Sequence, residues 1–521
     1  LADASTTCTF ASIFPVCGNV NLNGGKLYLS ADLHFSNNSQ LLSFGKIYGG
    51  SGASILEFDT NLTTFSDPSN LGLMRDIDMV TNADVTLTGS LRFEGDCSFN
   101  GKGRRIYFDV GSVVNIGHNS TLHVKDATLV GISSSKLHCL DNTGKILLDN
   151  VTLVLDGNYR FTSGALEILN QADFIGSYTF FYDGTQTLTV DAYSDLNIAG
   201  GSSIYLGRED GTNSQKIIWF TDATSKLNFH NCSVILGPAG VQLTRGTMEI
   251  SGRVDVDILS TNTANGGIMG DGTSVGDVSI ICQPASMLSF KNGHLTFNML
   301  NANAVKSMST YAKLIRGPSN VFYIKENVLY SDVTIVVDPA SPLLVATGKE
   351  VAYDNTKISM DPVKFIIKGS RYNTYTSLLD GNDWIFIQEG ILPLYFLVKN
   401  SGNSFEGNGS VSGQITLYDS NAELTLNLDG QFLNHINLAG SKLILAGDTE
   451  LGHSVMIKGA GTVNLASNDL TLGPKDLNWT STIYWDGNNG AIDLNANLSL
   501  YSSWTFSGDC IVKGNNNILT L

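Results

Sequence analysis

Two pairs of carboxylates hold the spacing that hydrolytic chemistry could use in this 521-residue chain: Asp76 with Asp78, and Asp255 with Asp257. Residues two apart on an extended strand share a face and stand about 6.5–7 Å apart. That overlaps the separation at which an inverting glycosidase seats a water between an acid and a base. No further motif gathers round the pairs, and they read as solvent-facing acids on a polar strand face. The eight histidines (His34, His118, His123, His138, His230, His294, His435 and His453) are dispersed. His118 and His123 lie five residues apart, which sends them to opposite faces of a strand and makes them a poor ligand pair. No nucleophile elbow, phosphate-binding loop or dinucleotide fingerprint occurs. Gly49-Gly50-Ser51-Gly52 and Gly407-Asn408-Gly409 are glycine-rich and read as loops. The sequence assigns no catalytic residue, no metal ligand and no cofactor.

The seven cysteines cannot all pair within one chain. Cys8 and Cys17, nine residues apart, are the disulfide candidate. Cys97, Cys139, Cys232, Cys282 and Cys510 lie far apart in alternating apolar segments, where a thiol behaves as a small buried hydrophobe. No CxxC and no Cys/His cluster of zinc spacing is present. Lys+Arg 31 against Asp+Glu 48 gives a net charge of −17. That balance excludes a nucleic-acid binder, because polyanions are held by clustered Lys and Arg. A hydrophobic share of 42% excludes wholesale disorder. No apolar run reaches the roughly 18 residues of a membrane span. The chain begins at Leu1 without a basic-then-apolar leader, as a mature secreted protein does after signal removal. An extracellular, cell-surface location is the expectation.

Charged residues make up only 15% of the chain, and 47 Asn supply much of the remaining polarity, with 54 Gly beside them. They punctuate short alternating runs such as Ser112-Val-Val-Asn-Ile, Ser225-Lys-Leu-Asn-Phe, Glu423-Leu-Thr-Leu-Asn-Leu and Ser441-Lys-Leu-Ile-Leu. Each run places apolar side chains on one face at period two, the half-buried strand pattern. The turns carry Asp-Gly, at Asp156, Asp183, Asp380, Asp429 and Asp486, because both residues tolerate left-handed backbone. Helical spacing is nearly absent, with Ala302 to Ile315 the weak candidate.

Many short strands could build a sandwich, a barrel, a propeller or a solenoid, and internal repetition decides between them. Ala83–Cys97 and Ala496–Cys510 match at an offset of 413 without a gap. The match continues through Gly101/Gly514, Ile106/Leu519 and Phe108/Leu521. A looser copy runs from Cys17 through Gly24, Leu27 and Leu29. Units recur at irregular spacings of about 20–30 residues, which fits a solenoid whose corners take insertions. Asn side chains can then stack in ladders from coil to coil. The expected fold is all-β: a parallel β-solenoid (β-helix) with irregular coils and a less repetitive middle segment. Three parts are expected: an N-terminal solenoid over 1–298 bearing the disulfide, an insertion or laterally elaborated segment over 299–405, and a C-terminal solenoid over 406–521.

This cadence of Asp-Gly turns, alternating Leu/Ile/Val runs and Ser/Asn corners resembles right-handed parallel β-helix proteins. More narrowly, it is similar to the long secreted β-solenoid repeat proteins of bacterial surfaces, adhesin passengers among them. The resemblance covers 10–298 and 406–521, and implies a stack of coils with function on its faces or ends. Many enzymes of similar fold carry adjacent Asp pairs and a Gly-His-Gly element, and neither is found here. Asn-x-Ser/Thr recurs at Asn37, Asn61, Asn119, Asn150, Asn231, Asn408, Asn478 and Asn497, glycan acceptors only where the source glycosylates. Trp479, Trp485 and Trp504 suit core packing or stacking on sugars.

Three readings follow, in this order. The chain is a structural subunit of an extracellular homopolymeric filament or surface layer, an adhesin or stalk binding surface glycans, or a polysaccharide-degrading enzyme. The first leads because Asn515-Asn516-Asn517-Ile518-Leu519-Thr520-Leu521 is an apolar-alternating strand without a cap, and free solenoid edges are templates for pairing. The partner is then a second copy, joined head to tail. Ile518, Leu519 and Leu521 are expected to meet the coil that holds Val20, Leu22, Leu27 and Leu29.

Overall fold

A computed structural model describes residues 5–298 and 401–521, apart from 12–13, 17, 31–32, 36–44, 51–53, 60–70, 208–216, 261–266, 274–277, 408–409, 412–413, 418 and 429–430. Within 299–400 it describes the strands alone. All regular structure among the described residues is β, and the strands pair in parallel from one coil to the next. The protein is a parallel β-solenoid, as the alternation and the repeat predict. Coil length is irregular: Lys145 pairs with Thr121, twenty-four residues back, and with Ala165, twenty residues on. Two compact units form, one of 1–249 with 253–267, the other of 250–252 with 268–521.

In the first unit, alternation becomes columns. Leu122, Ile146, Leu166, Leu188 and Ile218 stand in register on successive strands, and all are buried. Tyr159 stacks on Phe180 and Phe161 on Tyr182, with ring centroids 5.5 Å apart in both pairs. Each inward side chain is thus covered by its counterpart one coil away, and each buried Leu or Phe contributes about 1.5–3 kcal/mol. On the outer face the amides and carboxylates form the expected ladder. Thr152 Oγ1 donates to Asp173 at 3.2 Å, Asn197 Nδ2 donates to Asp173 Oδ1 at 2.6 Å, and Asn228 Nδ2 donates to Asn197 Oδ1 at 2.7 Å. The corners explain more of the Asn. Asp126, Asn150 and Asn170 sit at successive bends with φ of 44°, 55° and 59°, a left-handed step that Asn and Asp accept more readily than branched residues.

In the second unit, the described strands of 299–400 keep the same pairing. Lys313–Ile324 lies between Met287–Phe297 on one side and Thr334–Val337 with Leu343–Val345 on the other. The weak helical spacing at 302–315 is not realised: Val305–Ser307 and the start of Lys313–Ile324 are strand. Pairing overrides it, because Leu314 stands opposite Leu288 and both are buried. The Asp-Gly turns at Asp380 and Asp429 lie outside the described residues. Towards the C-terminus, Leu424, Leu443, Val463, Trp485 and Phe506 form one column, and Leu477, Leu498 and Leu519 another.

The 413-residue repeat is also a repeat of structure. Val85–Leu87 and Leu498–Leu500 are strands at matched positions, and Val85 pairs with Ile106 as Leu498 pairs with Leu519. Gly95 has φ 64° and Gly508 φ 65°; Lys102 and Gly103 have φ 47° and 77°, and Asn515 and Asn516 have φ 48° and 67°.

Candidate functional site

The terminal coil consists of Trp504–Ser507, Ile511–Lys513 and Leu519–Thr520. Among the described residues each strand is paired along one edge only, with Ile483–Asp486, Ala491–Leu494 and Leu498–Leu500 respectively. Phe506 is 44% exposed, Leu519 37% and Leu521 90%, whereas their counterparts in the internal copy, Phe93, Ile106 and Phe108, are 1%, 0% and 7% exposed. What buries the internal copy is a further coil: Ile116 opposite Phe93, Leu122 opposite Cys97, Val124 opposite Phe99 and Leu129 opposite Ile106. With Leu500, Ser502, Trp504 and Val512, the uncovered residues line an open hollow of about 310 Å³. Its floor is aromatic. Trp504 meets the buried Trp479 and Trp485 edge-on, at centroid distances of 5.3 and 4.9 Å. The three indole N–H groups are buried, and none finds an acceptor among the described residues.

At the other end, Thr7–Phe10 pairs with Lys26–Leu29, Cys8 opposite Leu27 and Phe10 opposite Leu29. Register partners point to the same side of a sheet, so Cys8 and Phe10 face inward on an edge strand, half-exposed and exposed. Of the residues expected at the junction, Ile518, Leu519 and Leu521 are exposed. Val20 is half-buried, and Leu22, Leu27 and Leu29 are fully buried within the first coils. Thr7–Phe10 pairs alongside Lys26–Leu29, so Leu27 and Leu29 lie inside the stack.

The cysteines divide in two. Cys8 and Cys510 are half-exposed free thiols, while Cys97, Cys139, Cys232 and Cys282 are free and buried. Burial pushes the Cys97 thiol up to about 11 and those of Cys139, Cys232 and Cys282 to about 12. Cys17 lies outside the described residues.

The walls engage their own charged groups. Asp76 does not share a strand with Asp78: it occupies a corner with φ 51° between Leu71–Arg75 and Asp78–Thr81. The expected common face is lost because a left-handed step separates the two carboxylates. Asp76 Oδ1 accepts the Asp96 N–H at 3.0 Å, and Asp78 Oδ1 accepts the Ser98 hydroxyl at 2.5 Å. Asp255 and Asp257 do share the outward face of Thr247–Ile258. Arg253 lies 3.3 Å from Asp255, and the two border a shallow groove with Gly201, Asn231, Cys232 and Ser233. The high value of the Cys232 thiol leaves no thiolate nucleophile there at neutral pH. His118 Nδ1 lies 2.8 Å from Asp141 Oδ2, and His123 Nε2 lies 3.3 Å from Asp149. The Thr143 hydroxyl and N–H, with His118, hold the Asp141 carboxyl down at about 2. Wall aromatics carry cations, Arg160 over Phe181 at 4.2 Å and Arg245 over Trp219 at 5.1 Å. Among the described residues no three His, Cys, Asp or Glu gather to hold a metal, and no helix is long and apolar enough to cross a membrane.

Compared with known proteins, the chain matches no protein family and no curated sequence.

Proposed function

We propose that the protein is a structural subunit of an extracellular homopolymeric filament, built head to tail by strand addition between coil ends. One observation carries the reading. Phe506, Leu519 and Leu521 are exposed at positions where Phe93, Ile106 and Phe108 are buried, and the cover in the second case is another coil of the same kind. A second copy offers a strand of matching pattern: in Thr7–Phe10, Cys8 and Phe10 face the same side as the buried Leu27 and Leu29. Strand addition supplies main-chain hydrogen bonds along the junction together with apolar burial. Covering about 800 Å² of apolar surface is worth about 20 kcal/mol gross at about 25 cal/mol per Å². Association removes about 4–15 kcal/mol of that, which leaves a net favourable contact. The contact joins unlike surfaces, so it propagates unless rotation closes a ring. A net charge of −17 keeps walls apart while the ends remain apolar.

Phe181 and Trp219 lie under guanidinium groups, whereas Tyr193 and Tyr501 stand 80% and 72% exposed. Asp76 and Asp78 are held by hydrogen bonds of the fold. The test compares the chain 1–521 with Leu519→Lys combined with Leu521→Lys, by sedimentation and negative-stain microscopy. The parent chain is expected to form filaments and the variant to stay monomeric with an unchanged β-rich circular dichroism spectrum. Filaments of equal length from both, or none from the parent, overturn the reading.

A further inference from the structure

The geometry points to an isopeptide bond between the Lys102 amine and the Asn82 side-chain amide, formed by the chain itself with Glu57 carrying the proton. The bond ties two successive coils of the first unit together, and it is independent of assembly between copies. Three successive coils bring the groups to one place. Glu57 lies in Ile55–Phe58, Asn82 directly follows Asp78–Thr81, and Lys102 lies in Asp96–Phe108; the three strands pair side by side. The Asn82 N–H donates to the Phe58 carbonyl at 2.8 Å, which anchors its backbone. Lys102 stands at a left-handed corner, φ 47°, closed by its own N–H on Asn100 Oδ1 at 2.9 Å. From there Lys102 Nζ donates to Asn82 Oδ1 at 2.7 Å. Asn82 Nδ2 donates to Glu57 Oε1 at 2.6 Å and to Asp59 Oδ1 at 2.9 Å. Two carboxylates thus hold the amide nitrogen, and the amide carbonyl is turned to the amine.

Glu57 Oε1 also lies 3.7 Å from Lys102 Nζ, while Lys26 holds the other oxygen of the same carboxylate. Burial raises the Glu57 carboxyl, but hydrogen bonds from Lys26 and Asn82 outweigh it and hold the group below its ordinary value of 4.5, so it stands ionised as a base. Ion pairs elsewhere on the walls differ in kind. Lys136 meets Asp156 and Lys442 meets Glu423, and an ionised carboxylate is no acyl donor, whereas an amide is one. The Lys102 side chain is half exposed and exchanges its ammonium proton with water. The free amine then attacks Asn82 Cγ. A bond forms between Nζ and Cγ, and the bond between Cγ and Nδ2 breaks. Glu57, in reach of both nitrogens, takes one proton from Nζ and delivers it to Nδ2, which leaves as ammonia. No oxidant or cofactor enters, and the Glu57 carboxylate is returned unchanged.

The test holds the purified full chain at mildly alkaline pH, where more of the lysine is free amine, and follows its denatured intact mass. The expected result is a chain lighter than its sequence mass by one ammonia, with peptide mass spectrometry recovering Asn82 joined to the Lys102 side chain. Lys102→Arg and Asn82→Ala should each keep the full mass. Glu57→Gln should keep it too, although both reacting groups remain. Lys125→Arg, a change on the neighbouring strand, should still lose the ammonia. An unchanged β-rich circular dichroism spectrum reports that each variant is folded. A parent chain that stays at its full sequence mass overturns the bond. So does a loss of ammonia without a link to Lys102, as an asparagine succinimide gives. Loss from Glu57→Gln at the parent rate overturns the part assigned to that carboxylate.

Discussion

Residues 83–108 and 496–521 share strands, register and left-handed corners, with Gly95 at φ 64° matched by Gly508 at 65°, yet Phe93 is 1% exposed and Phe506 44%. Local conformation is therefore set inside the coil: alternation makes the strand, and Gly or Asn makes the bend. Burial is set from outside it. Each coil of a solenoid interacts chiefly with its two neighbours; the internal copy is paired along both edges, and among the described residues 504–520 is paired along one. The same grammar is buried core in one place and exposed in the other.

The contrast is broken most forcefully at Ile106 and Leu519. Ile106→Lys forces an ammonium into a fully buried site, and such a change costs about 4 kcal/mol or more. Leu519→Lys should cost under about 1 kcal/mol in the monomer, as surface changes do, while removing assembly. Hydrogen exchange followed coil by coil during guanidinium unfolding reads both. Equal destabilisation at the two sites contradicts the distinction between core and open end. The next largest effect is Phe93→Ala against Phe506→Ala. The first empties a filled core position for about 3–5 kcal/mol, and the second should fall below about 1 kcal/mol in the monomer, where the ring is already half in water.

Much of this architecture is legible in the residues. Ser225-Lys-Leu-Asn-Phe and Glu423-Leu-Thr-Leu-Asn-Leu alternate, and Leu227, Phe229, Leu424 and Leu426 enter buried columns. The abundance of Asn foretells both the Asn197–Asn228 ladder and the left-handed corners at Asn150 and Asn170. Asp76 and Asp78 show where reading fails. Arg75-Asp76-Ile77-Asp78 contains neither Gly nor Asn, and although Asp tolerates the left-handed step, the run does not tell which of its two Asp takes it. Internal repetition marks Leu27 and Leu29 through a longer match, whereas Cys8-Thr9-Phe10 shares only the three-residue pattern of Cys97-Ser98-Phe99. Exposure at Phe506 is illegible for a deeper reason: whether a coil has a neighbour is not written within that coil.

The corners sharpen the comparison at a smaller scale. A methyl group on Gly95 would meet Asp76 Oδ1 at 1.9 Å, whereas on Gly508 its nearest neighbour is the Asn488 nitrogen at 3.3 Å. Both substitutions place Ala at positive φ, which costs about 1–2 kcal/mol. Gly95→Ala must also displace the carboxylate that accepts the Asp96 N–H, which adds about 1 kcal/mol. Gly95→Ala is therefore expected to destabilise its coil by more than Gly508→Ala does. A larger loss at Gly508, measured by the same exchange experiment, contradicts this account of the shared corner.

The smallest effect separates the copies by pH. His123 lies on the strand that covers the internal copy, opposite Ser98, and residues 496–521 contain no histidine. Burial, aided by Lys125, holds the His123 imidazole below its ordinary value of 6.5, against the pull of Asp149. The fold thus prefers the neutral ring. The stability this contributes is complete above about pH 6.5, where unfolded and folded chains are both neutral at this site. It declines as the pH falls and the unfolded chain takes up a proton first. Between pH 7.5 and 5.5, protection of the amides in Asp96–Phe108 and Thr121–Ile132, corrected for intrinsic exchange, should fall by less than about tenfold. Residues 496–521 should not change, and His123→Gln should flatten the profile. A decline shared equally by both copies would show that acid acts on the coils through the carboxylates they have in common, and not through the ring that covers one of them.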